Sequence, residues 1–148
     1  MVEYSVLYQS VSALITGVPY RIANLANTAA LLGMTLPQIN WAGFYLLEHE
    51  VLVLGPFWGK PACIEIPVGR GVCGTAVAEN RTQLVSDVHA FPGHIACDAD
   101  SRSEIVIPLR VNGRIVGVLD IDSPVKHRFT DVDRLGLEAI ASLLEAQW

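Results

Sequence analysis

Apolar residues Val18, Ile22, Leu25, Ala29 and Leu32 recur at helical spacing, which predicts an amphipathic helix over residues 18–32 with one buried stripe. A shorter helix precedes it, carrying Leu7, Val11 and Leu14 on one face, and Gly17 with Pro19 marks its stop and the restart. After Pro37 the pattern changes. Aromatic and β-branched residues in 41–47 and 51–57 read as two strands joined around Glu48, His49 and Glu50, a hairpin. Residues 63–68 read as a third strand, Gly69-Arg70-Gly71 as a structural turn, 72–79 as a short helix and Leu84-Val85 as a brief strand.

Residues 87–103 form a long polar loop holding Pro92 and Gly93, and loops of that length inside compact domains are often functional. Runs 105–111 and 114–122 flank Asn112-Gly113, the strongest short-range signal for a two-residue hairpin turn. Thr130 caps a last helix with Asp133 at the acidic position of a capping box, and Leu137, Ile140, Ala141 and Leu144 supply its core face. Helices at both ends of an antiparallel meander predict an α+β architecture: a central antiparallel sheet with the N- and C-terminal helices packed together on one side.

A chain of 148 residues, 51% hydrophobic and 17% charged, suits a single domain over residues 1–148 with a substantial core. Its net charge of −5 and the lack of any basic run argue against nucleic acid or an anionic membrane as partner, leaving a small molecule as the expected ligand. Neither a secretory signal nor an apolar run of membrane-spanning length is visible. Three cysteines, Cys63, Cys73 and Cys97, are an odd number, which speaks against a closed disulfide framework and for a reducing, cytoplasmic setting. With no CxxC element, neither a zinc ribbon nor a thioredoxin-like motif is expected, and any redox pair must be assembled by folding.

Four blocks carry a family resemblance: NWAGFYLL (40–47), GKPACIEIPVGRGVCGTA (59–76), DVHAFPGHIACD (87–98) and GRIVGVLDIDSP (113–124). The chain resembles the free methionine-(R)-sulfoxide reductases, stand-alone GAF domains, over nearly its whole length. The third block, joined to Ser103-Glu104-Ile105, is the most specific, because generic GAF domains share the GVL-type hairpin but lack this loop and its cysteine. The resemblance implies a GAF-like fold and thiol-dependent reduction of free methionine-(R)-sulfoxide. It implies Cys97 as attacking thiol, Cys63 as its resolving partner and Cys73 as a third thiol. Glu104, Asp120 and Asp122 match carboxylates that hold the substrate's ammonium and sulfoxide groups, and Trp41 and Tyr45 match aromatics around its methyl end. A homodimer, no bound cofactor and recycling by thioredoxin are implied as well. One departure is Trp58, where the family usually carries Gln, a position that bears on packing or substrate access.

The residues themselves support such chemistry. Sulfoxide reduction needs a soft nucleophile at sulfur and a proton donor to the departing oxygen, and a thiolate beside a carboxylic acid supplies both. Attack leaves a cysteine sulfenic acid, which a second thiol condenses to a disulfide that an external dithiol reduces. Cys97 lies late in the long loop beside Asp98 and Asp100, acids that raise a thiol's pKa, so its activation has to come from His94, a helix end or a main-chain amide. Cys73, near a helix N-terminus, is the better nucleophile on local physics alone. The resemblance and the loop's access favour Cys97.

Asp120 and Asp122 share one face of their strand, as Trp41 and Tyr45 share one face of theirs. Glu104 raises a conflict, because a regular two-residue turn at Asn112-Gly113 pairs it with Ile121 and puts it on the face opposite Asp120. A bulge near Pro108, which cannot donate to the ladder, would restore convergence, and such an irregularity is expected. Two rival readings remain. A non-catalytic GAF sensor of a small metabolite would share the fold, since function sits in sites grafted on folds. A metal site built from His89, His94 and Cys97, with or without Asp98, fits no zinc spacing, and no metal is expected.

Overall fold

In a computed structural model, residues 2–95 and 97–148 are described; Met1 and Ala96, the latter inside the third sequence block, lie outside them. Along the chain run helices α1 (Tyr4–Ile15) and α2 (Arg21–Thr35), strands β1 (Trp41–Glu48), β2 (Val51–Gly59) and β3 (Glu65–Pro67), helix α3 (Gly71–Glu79), and strand β4 (Gln83–Val85). A single 3₁₀ turn at Val88–Ala90 then leads to β5 (Ser103–Val111), β6 (Arg114–Ser123) and α4 (Asp131–Ala146). The six strands form one antiparallel sheet in the order β3-β2-β1-β6-β5-β4. No helix among the described residues is long and apolar enough to cross a membrane.

Alternation along the strands divides the sheet into two faces with different tasks. Ala42, Phe44, Ile105, Ile107, Leu119 and Ile121 point to one side, where α1, α2 and α4 cover them with Leu7, Val11, Ile15, Leu25, Leu32, Leu137 and Ile140. On the other side Trp41, Tyr45, Val106 and Val118 meet Val72, Cys73 and Ala76 of α3 and Val88 of the following loop. The expected layering of both terminal helices on one side is what folds. Their packing leaves the opposite face to α3 and to loops.

The helical stripes begin later than the spacing alone suggests. Gly17 takes a φ of +77°, the chain restarts only at Arg21, and the buried positions of α2 are Asn24, Leu25, Thr28, Ala29, Leu32 and Gly33. Val18 therefore lies outside the helix, and Ile22, in its first turn, is 62% exposed. On α1 the buried series is Leu7, Val11 and Ile15, four residues apart, which turns Leu14 toward solvent. The third strand is shorter than expected, and Cys63 lies in the connection ahead of it. There the Cys63 carbonyl accepts a hydrogen bond from the Tyr45 hydroxyl at 2.8 Å and is drawn over the sheet face instead of along its edge.

Two glycines allow close approach. A Cβ at Gly33 would overlap the Trp58 indole, so the unusual Trp packs against α2 on the covered face and bears on packing, away from α3. A Cβ at Gly43 would come within 2.8 Å of both the Trp41 ring and Phe57 Cα. Its absence lets the indole lie flat along the strand.

The hairpin turn forms at Asn112 and Gly113, both with positive φ, and Val111 pairs with Arg114 as a two-residue turn requires. The register then shifts between Leu109 and Arg110, because Leu109 pairs with Gly117 while Arg110 pairs with Ile115. Val116 is the extra residue. The irregularity expected near Pro108 thus lies one step further on, with the inserted residue on β6, and it pairs Glu104 with Asp122.

At the start of α4 burial alone would push the Asp133 carboxyl up, but bonds from Tyr4 Oη at 2.6 Å and Thr130 N at 2.8 Å, with Arg128 at 3.3 Å, hold it below the usual carboxylate range. This capping box also ties α1 to α4. The two faces predict unequal mutational costs. Leu119→Ala should cost about 2–5 kcal/mol in urea unfolding, whereas Ile22→Ala should stay within about 0.5 kcal/mol.

Candidate active site

The bulge at Val116 decides what meets on the open face. With Glu104 opposite Asp122 and Asp120 two residues along, strands β5 and β6 deliver three carboxyl groups to the same place. Strand β1 runs beside β6 with Trp41 opposite Asp122 and Gly43 opposite Asp120, which sets the aromatic residues next to the acids. Trp41 and Tyr45 stack with ring centroids 5.9 Å apart, and Trp41 stacks on Phe57 at 5.3 Å. From above, the first turn of α3 lowers Cys73 until its Sγ lies 4.0 Å from Glu104 Oε2.

The two remaining cysteines close the mouth. Cys63 and Cys97, 34 residues apart in sequence, form a disulfide with their Cα atoms 5.5 Å apart. Trp41 Nε1 donates to the Lys60 carbonyl at 3.1 Å, and together with the Tyr45 bond this fastens the Cys63 segment over the aromatic floor. On the other side Asn40 Nδ2 donates to Asp98 Oδ2 and Ser101 Oγ, both at 3.1 Å, fastening the segment after Cys97. An exposed Lys60–Asp100 ion pair at 2.9 Å spans the two segments. Such a pair adds little stability on its own.

Trp41, Tyr45, Cys73, Cys97, Glu104, Asp120 and Asp122 all line one cavity, with Cys63 at its rim through the disulfide. The cysteines, carboxylates and aromatic residues that the family resemblance singles out are therefore brought together. Asp98, Ser101 and Asn40 were not assigned roles in holding the loop; Asn40 stood in the first block, but nothing local shows that its amide reaches across 58 residues to Asp98. His94 lines the cavity while His89, 6.3 Å from it ring to ring, does not. With Cys97 committed to a disulfide, the His89, His94, Cys97 and Asp98 metal set is not assembled. Among the described residues the grouping with metal-ligand proximity is Cys73, Glu104 and Asp120.

Burial dominates the electrostatics. It pushes Glu104 and Asp122 well above the ordinary carboxylate range, with the charge of Asp120 adding to both, and it raises Asp120 as well. Three carboxyl groups this close oppose one another's ionisation unless a cation joins them, which favours protons held in common. Asp120 Oδ1 is buried and meets no hydrogen-bond partner among the described residues. Cys73 is also pushed well up, first by burial and then by Asp120 and Glu104. The helix-terminus advantage read from its sequence position is overturned: the dipole of α3 acts on a thiol surrounded by acids. Burial, followed by the neighbouring His89, holds His94 below the usual imidazole range.

In the disulfide state the free cavity is about 40 Å³. A buried water needs roughly 10–15 Å³, so there is room for a few waters and not for an amino acid.

The fold and this site define a class. The family model described as GAF domain matches residues 11–148, and the chain belongs to that family. Within it the chain belongs to the free methionine-R-sulfoxide reductases. It is 61% identical over 142 residues to the free methionine-R-sulfoxide reductase of Escherichia coli, covering 96% of this chain and 86% of that one. It superposes on the fRMsr of Staphylococcus aureus in its reduced form with a TM-score of 0.97 at 55% identity, covering 99% and 96% of the two chains. The same S. aureus protein in complex with substrate gives a TM-score of 0.95 at 54% identity, over 99% and 96% of the chains.

The raised carboxyls make a prediction about stability. A group whose folded pKa lies above its unfolded value, about 4 for a carboxyl, contributes stability that is present below that value and lost as pH rises through the folded one. The ligand-free protein should therefore lose stability relative to Asp120→Asn in urea unfolding as pH rises above about 4. A difference that does not change with pH would mean that the three acids are already ionised.

Proposed function

We propose that this chain reduces free methionine-(R)-sulfoxide to methionine with its own thiols. The observation that carries the reading is the placement of a disulfide-forming cysteine pair directly over a cavity with an aromatic floor and a wall of three buried acids. A module that only senses a metabolite has no need of a redox pair at the mouth of its pocket.

In the reduced state the opening of the Cys63–Cys97 link gives the space that the substrate requires. The ammonium group meets Asp120 and its neighbours and supplies the positive charge that lets them ionise, while the methyl group lies against Trp41 and Tyr45. The thiolate of Cys97 attacks the sulfoxide sulfur as a shared proton of the acidic wall passes to the sulfoxide oxygen. The S–O bond and the transient bond between the two sulfurs then break as the hydroxyl passes to Cys97 Sγ, so that methionine leaves and Cys97 is left as a sulfenic acid. Cys63 then attacks Cys97 Sγ, water leaves, and the disulfide forms. An external dithiol of the thioredoxin kind restores both thiols, which places the cycle in a reducing, cytoplasmic compartment. No bound cofactor enters these steps. Cys73, protonated among acids, stays behind as a wall residue and does not attack. A homodimer is part of the same family-based proposal.

Selectivity for the free amino acid follows from the wall. A peptide bond at the substrate's nitrogen removes the cation, and the buried acids then gain no partner for the charge they must carry.

Coupled to thioredoxin and its reductase, the protein should consume NADPH with racemic free methionine sulfoxide and stop near half conversion; complete conversion contradicts the stereospecificity. Cys97→Ser should abolish methionine release in a single turnover, and Cys63→Ser should permit one turnover and block recycling. Loss of the first turnover in Cys73→Ser, with Cys97 intact, would overturn the assignment of the nucleophile.

A further inference from the structure

Cys73, Glu104 and Asp120 present one sulfur and two carboxylate oxygens that all lie within 4.8 Å of one another. A tetrahedral Zn²⁺ site places its ligand atoms at about 2.0–2.3 Å from the metal, and a small inward movement of the three side chains meets that requirement. They come from three separate elements, α3, β5 and β6, each packed in the core, so the arrangement is held by the fold and not by a surface loop. Exposures of 3%, 7% and 5% place all three beyond nine-tenths burial.

A cluster of acids alone is not a site. Here a separate observation points to a ligand: Asp120 Oδ1 faces the cavity without any partner among the described residues, a buried acceptor waiting for a donor or a cation. The free volume of about 40 Å³ is too small for an amino acid but accepts an ion with a water as its fourth ligand. The donor set also selects the ion. One thiolate with two carboxylates suits a borderline metal such as Zn²⁺ or Co²⁺, whereas Mg²⁺ and Ca²⁺ demand oxygen throughout.

We propose that Cys73, Glu104 and Asp120 form a binding site for a thiophilic divalent cation of the Zn²⁺ class, which occupies the acidic wall in place of the substrate's ammonium and so blocks the active site. Binding forms one metal–sulfur and two metal–oxygen bonds, and the proton of Cys73, with those shared by the carboxyls, passes to solvent. No electron transfer is involved. The competition rests on the reading of the wall as the ammonium site; the binding does not.

Co²⁺ added to the full chain carrying Cys63→Ser and Cys97→Ser tests this, because Cys73 is then the only thiol among the three cysteines. The expected result is a thiolate-to-cobalt charge-transfer band in the near ultraviolet at one equivalent, bleached by Zn²⁺ and absent when Cys73→Ser is added. Glu104→Gln should weaken the affinity at least tenfold while circular dichroism stays unchanged. Absence of the band, or its survival in Cys73→Ser, would overturn the site. Free methionine sulfoxide should displace Co²⁺, and persistence of the band at saturating sulfoxide would overturn the competition. Turnover by the wild-type chain in chelator reports on the reductase reading separately, so the two can fail independently.

Discussion

Burying three carboxyl groups and a thiol within a few ångströms of one another is unfavourable unless something neutralises them. Burial and mutual repulsion favour their protonated forms in the ligand-free protein, and Asp120 Oδ1 has no hydrogen-bond partner among the described residues. A ligand that brings a positive charge would relieve this state. The rest of the molecule can be understood as a means of holding that unfavourable cluster in place. Three helices on one sheet face fix the strands with close-packed aliphatic side chains, and the opposite face carries the acids, the aromatic floor and the thiols.

The cluster depends on a single inserted residue. Without Val116 the turn at Asn112-Gly113 would carry Glu104 to the helix-covered face, among Ile105's neighbours, and the wall would be short of one acid. With it, the hairpin keeps its favoured turn and still places alternate residues of both strands where the cavity needs them. Pinning by aromatic side chains completes the geometry. Trp41 and Tyr45 line the floor and also bond the carbonyls of Lys60 and Cys63, so the surface that would receive a methyl group is the one that positions a redox sulfur.

Much of this was legible in the chain because it is local. Strand alternation, the Asn112-Gly113 turn and the Thr130/Asp133 cap each act over a few residues, and all three appear where periodicity and turn chemistry put them. The conflict between a regular hairpin and a shared pocket for Glu104 was also readable, and it located the irregularity to within a residue or two. What failed was whatever depended on distant neighbours. Cys73 at a helix start reads as an activated thiol until β5 and β6 bring acids against it. Ile22 and Leu14 fall on plausible stripes, but the turn at Gly17 delays the start of α2, and on α1 the buried series ends on Ile15 in place of Leu14. Asn40 gives no local sign that it fastens a loop some sixty residues away.

Because the account turns on protons shared in the acidic wall and surrendered to a cationic ligand, it is tested most directly by watching the carboxyl groups themselves. Infrared difference spectra of the Cys63→Ser, Cys97→Ser protein, with carboxyl-labelled Asp and Glu, recorded before and after free methionine sulfoxide binds at neutral pH, report their protonation. Loss of protonated-carboxyl absorption with a matching gain of carboxylate, abolished by Asp120→Asn, is the predicted result. Carboxylate absorption already complete before the ligand is added would contradict it.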